Sequence, residues 1–77
     1  MSGSLERLAA QLAEDTMKAM LELDDMELYT EVAQVISASS QSLEEAFLTE
    51  MRVRLTERKA RSFLIQKVKA ARAAKAT

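Results

Sequence analysis

The chain has no cysteine, no histidine, no proline and no tryptophan, and its one glycine is Gly3. Each absence closes something off. Without Cys there is no disulfide, and without Cys or His there is no structural zinc site of the usual kind. Without internal Gly or Pro, nothing compels the backbone to leave a helix. A glycine-rich phosphate loop and the G-x-S-x-G turn of serine hydrolases are missing as well. Aromatic side chains are limited to Tyr29, Phe47 and Phe63. Long apolar runs are also wanting. The longest uncharged stretch, residues 32–43, holds four Ser and two Gln, whereas a membrane span needs about twenty apolar residues. The N-terminus lacks the apolar segment of a signal peptide, and Glu6, Glu14 and Asp15 are unlike a transit peptide. These absences point to a cytoplasmic protein. Residues 1–4 read as disordered or as a cloning remnant.

What remains is rich in helix formers: Ala, Leu, Glu, Lys, Arg, Met and Gln dominate. The hydrophobic share of 48% overstates the core, because thirteen of those residues are Ala. A chain of 77 residues makes a single small domain, and a domain of that size buries only about 60% of its unfolded surface. With no covalent staple, association between chains is the remaining route to stability. The expected fold is all-α, with two shorter helices and one long C-terminal helix. They would form an antiparallel bundle or hairpin completed by oligomerisation. In its short, Cys-free, Ala/Arg/Glu-rich composition the chain resembles small bacterial proteins, without any motif that names a family.

Charge is sorted along the chain. Residues 1–51 carry eleven acidic side chains and two basic ones, Arg7 and Lys18. Residues 52–77 carry nine basic side chains and one acidic, Glu57. Such asymmetry points to a partner, or to self-association of unlike ends, more than to catalysis. It divides the domain into a packed acidic body at 5–55 and a basic helical extension at 56–77, fraying at its Ala-rich end.

Helical spacing places the elements. Leu5, Leu8, Leu12, Ala19 and Leu23 form one apolar stripe, with Ala9, Ala13 and Met20 beside it. Met26, Tyr29, Ala33 and Ile36 form another, rotated by about a third of a turn. Asp24 sits between them and suits an N-cap, with Glu27 in capping-box position and Leu23 and Leu28 spaced as a hydrophobic staple. A second break falls at residues 37–42, a run of four Ser, one Ala and one Gln. Ser42 and Glu45 match a capping box. The spacing predicts helices over about 5–23, 25–38 and 43–73, the first two packed on the start of the third. The expected core is Leu5, Leu8, Leu12, Ala19, Leu23, Met26, Tyr29, Ala33, Ile36, Leu43, Phe47, Met51 and Leu55.

The candidate functional residues lie in the third helix. Arg54, Arg58 and Arg61 recur at i, i+4 and i+7, and Ile65 and Val68 continue their line. With Phe63, which like Leu64 points away from that line, these form the expected partner-binding set, in which arginines select a partner and apolar groups hold it. The plain alternative is a solvated helix with Glu50–Arg54 and Glu57–Arg61 pairs. The partner expected first is a second copy of the chain, forming a homodimer, or another protein. In the antiparallel case the basic end of one chain lies over the acidic helices of the other. The second reading is nucleic-acid binding through Arg52, Arg54, Arg58, Lys59, Arg61, Lys67 and Lys69. The acidic body opposes it. A third reading, an amphipathic helix on anionic lipid, is disfavoured by the lack of Trp.

Enzymatic activity is not expected, since the usual nucleophile and base residues are missing. No cofactor, metal or small-molecule substrate is expected either. The acidic clusters Asp24–Asp25, Glu27–Glu31 and Glu44–Glu45 lack a calcium-loop pattern and read as carboxylates favoured near helix starts. Met17, Met20 and Met26 suggest either a plastic groove or, more simply, core filler.

Overall fold

The computed structural model describes residues 2–76. It contains three helices and, among those residues, no strand. Helix α1 spans Ser2–Leu23, α2 spans Leu28–Ser37 and α3 spans Gln41–Ala76. Each helix touches the other two. The all-helical expectation is met, and α1 and α2 are separate helices joined by a tight turn.

That turn is built differently from the sequence expectation. Asp24 has φ 53°, in the left-handed region that Asp tolerates better than most residues. The amide of Asp25 donates to the Met20 carbonyl at 2.9 Å, which is the long bond of a Schellman-type helix end. Asp24 therefore terminates α1 and does not cap α2. Asp25 Oδ1 accepts from the Glu27 amide at 3.1 Å, and α2 begins only at Leu28 with no side-chain cap.

The second turn shifts in the same way. Ser40, not Ser42, caps α3. Its Oγ accepts from the Leu43 amide at 3.1 Å, and its carbonyl accepts from Glu44 at 3.1 Å. Helix α3 thus starts at Gln41, two residues before the expected position. Glu44 in its first turn and Lys75 in its last both suit the helix dipole.

The core contains Ala9, Ala13, Met17, Met20, Ala33, Ile36, Phe47 and Met51. Thr16 is buried with them and donates its hydroxyl to the Leu12 carbonyl at 2.7 Å. Of the expected core, Ala33, Ile36, Phe47 and Met51 are buried, while Leu5, Leu12, Ala19, Tyr29, Leu43 and Leu55 are half-buried. Leu8, Leu23 and Met26 are exposed. The buried face of α1 is therefore turned by about a quarter turn from its leucine stripe. Ala9 and Ala13 admit a close neighbour, and the flexible thioethers of Met17 and Met20 join Phe47 and Met51 in one buried cluster. Helix α2 rises only about 15 Å against about 33 Å for α1. It covers too little of α1 to bury the leucines.

Length mismatch also shapes the molecule. Helix α3 rises about 54 Å, nearly the full 58 Å long dimension of the protein. The radius of gyration is 16.5 Å, whereas a compact chain of this length has about 11.5 Å. Within α3, every buried or half-buried residue lies between Leu43 and Leu55, and residues 56–76 are all exposed.

The two turns make measurable claims. Ser40→Ala is expected to cost about 1 kcal/mol, and Ser42→Ala to change stability by less than about 0.5 kcal/mol. Asp24→Val is expected to cost about 1 kcal/mol or more, with Asp24→Gly at least as stable as wild type. Urea unfolding of the four variants checks this; equal midpoints for the two serine variants would move the cap elsewhere.

Candidate functional site

The candidate residues start where tertiary cover stops. Arg54 sits at that boundary, half-buried. Its Nη1 pairs with Glu50 Oε1 at 2.5 Å and donates to the Glu50 carbonyl at 3.2 Å. Its Nη2 reaches the Ala10 carbonyl of α1 at 3.4 Å. Arg54 is thus a tie between α3 and α1, and its donors are turned inward. This removes it from the exposed arginine row that the sequence suggested.

Arg61 is exposed and gripped by Glu57 one turn earlier, through Nε at 2.8 Å and through Nη2. The hydrogen bond and the adjacent carboxylate both raise the Arg61 pKa above its ordinary value. Arg58 forms no ion pair among the described residues. Phe63, Ile65 and Val68 are all exposed, as is Leu64.

Helix periodicity sorts these side chains. At about 100° per residue, Arg58, Arg61, Ile65, Val68, Lys69 and Arg72 share one side of α3. Phe63 lies on the opposite side, with Arg52, Lys59 and Lys67. The six expected partner-binding residues therefore do not form one patch. Arg58, Arg61, Ile65 and Val68 stay together, Phe63 is separate, and Arg54 belongs to the fold. The nucleic-acid set is split as well, and one duplex meets only one side of a straight helix.

A feature missed in the sequence lies next to this surface. A groove of about 610 Å³ runs between α1 and α3, lined by Glu14, Met17, Lys18, Glu50, Val53, Arg54, Glu57 and Arg58. It is a trough open to solvent, with Met17 and Val53 as its apolar part. Val53 is 60% exposed and Leu21, further along α1, is 49% exposed. The sequence signal was available in the repeat Val53, Ala60, Leu64, Val68, which is spaced by seven and then four residues. Of the methionines considered for a groove, only Met17 lines it; Met20 is in the core and Met26 is exposed.

No three or more His, Cys, Asp or Glu side chains among the described residues are grouped so as to hold a metal ion. No described helix is long and apolar enough to cross a membrane. No protein-family model, curated protein or solved structure matches the chain.

The two arginines at the boundary separate by their effect on the fold. Arg54→Ala is expected to destabilise by about 1 kcal/mol, because Glu50 and the Ala10 carbonyl lose a donor in a half-buried place. Arg58→Ala is expected to stay within about 0.5 kcal/mol of wild type. Thermal unfolding of both variants distinguishes a fold residue from a surface residue.

Proposed function

We propose that this protein is a non-enzymatic interaction module, a small homo-oligomeric adaptor or regulator that works through the basic C-terminal half of α3. One observation carries this reading. Residues 56–76 form six turns of helix without tertiary cover, and they expose Phe63, Leu64, Ile65 and Val68 among seven cations. An isolated Leu or Val at a surface is ordinary. Four in six residues, on a helical stretch whose described residues are all exposed, favour a contact surface. The total accessible surface supports the same reading. It is 5990 Å², where a compact monomer of this mass exposes about 4,700 Å².

Nucleic-acid binding through Arg58, Arg61 and Lys69, with Arg72, is the second reading, favoured by their shared side of α3. The separation of Lys59 and Lys67 to the other side weakens it.

Sedimentation equilibrium over a range of concentrations, at low and moderate salt, tests the first reading. Reversible association that persists at moderate salt is expected, because apolar groups supply much of the contact. A monomer at every concentration would overturn the homo-oligomeric reading. A gel shift with duplex DNA and with RNA at low salt tests the second, and phosphate contacts would make any shift steeply salt-dependent.

A further inference from the structure

We infer that the surface covering the extension of α3 is the acidic body of a second copy of this chain, in a reciprocal antiparallel dimer. Leu64 and Val68, flanked by Lys69, Arg72 and Lys75, lie in the α1–α3 groove of the partner, and the partner's extension does the same in return. This rests on the interaction-module reading and gives it an occupant and a geometry.

Three observations select a second copy. The first is charge left unsatisfied. Among the described residues the only ion pairs are Glu50–Arg54 and Glu57–Arg61, both within α3. Ten of the eleven carboxylates in residues 1–51 and six of the seven cations in residues 56–76 have no ion-pair partner among the described residues. The two blocks are complementary, and no ion pair joins them inside one chain among the described residues. Pairing extension with extension would set like charges together; pairing extension with body sets unlike charges together.

The second observation is a shared face. At about 100° per residue, Val53, Glu57, Arg61, Leu64, Val68 and Lys75 all fall on one side of α3. Val53 and Glu57 line the groove, and Leu64 and Val68 are two of the exposed apolar groups of the extension. The same side of the helix thus supplies both groove wall and occupant. A two-fold interface requires this self-complementarity. Helix α3 runs from Gln41 to Ala76, so two copies antiparallel in full register place residues 62–76 of each over residues 41–55 of the other. Leu64 then meets the partner's Val53.

The third is area. The surface in excess of a compact monomer, about 1,300 Å², exceeds the roughly 800 Å² that each partner contributes to a standard interface. The groove of about 610 Å³ is open along its length, as a docked helix needs.

A charge exchange tests the arrangement. One variant reverses the body, with Glu14→Lys, Asp15→Lys and Glu22→Lys on the exposed face of α1. The other reverses the extension, with Lys69→Glu, Arg72→Glu and Lys75→Glu. All six positions are exposed, and circular dichroism confirms that each variant keeps its helices. Each variant alone is expected to dimerise at least about tenfold more weakly than wild type. An equimolar mixture is expected to recover a heterodimer, because both contacts then join unlike charges. Wild-type-like dimers of both single variants would overturn the inference and leave the interaction reading standing. Failure of the mixture to associate would also overturn it. A wild-type protein that never dimerises would remove both.

Discussion

The structure depends on a mismatch of helix lengths. Helix α3 rises about 54 Å, while α1 and α2 rise about 33 and 15 Å. Two short helices bury a patch on a long one and run out. Phe47 and Met51 anchor that patch, and Ala9 and Ala13 admit the close approach that buries them fully. Beyond Leu55 every described residue of α3 is exposed. The remaining turns stay helical for a local reason: the packed half has already nucleated the helix, and Ala, Arg, Lys, Leu and Gln propagate it at little cost.

The proposed function rests on that remainder. The extension combines exposed apolar groups with cations, and the body carries most of the carboxylates. Within the chain these halves are held apart by the stiffness of α3, so their attraction is available to another molecule. Arg54 marks the division. Its guanidinium, held by Glu50, ties α3 to the Ala10 carbonyl of α1, and from Thr56 onward no cation makes an ion pair or side-chain hydrogen bond to another helix among the described residues. The next cation after Arg54, Arg58, makes no such tie among the described residues.

The sequence was legible where the signal was local and strong. Three helices follow from composition, and the Ser-rich run at 37–42 marked a true break. Its cap was misplaced, because Ser40 and Ser42 are both chemically able and only the direction of the chain leaving α2 selects between them. Asp24 was read as a helix start and is a helix end. The same short side chain suits both places, and the sign of φ is not written in the residue type. In α3 the basic stretch was visible from the sequence alone, whereas the groove beside it was legible only on its α3 side, since Glu14, Met17 and Lys18 of α1 form the other wall.

The leucines of α1 show where sequence reasoning stops. Leu8 and Leu23 are larger than Ala9 and Ala13, and hydropathy favours them for the core. The structure buries Ala9, Ala13, Met17 and Met20 in their place. Composition and periodicity determined that the chain is helical, amphipathic and electrically polarised, because those properties reside in each residue and its near neighbours. Which face of α1 turns inward, and how far along α3 the packing reaches, were decided only by tertiary structure. Both depend on how closely two backbones approach and on how long the covering helices are, and those are properties of pairs of elements.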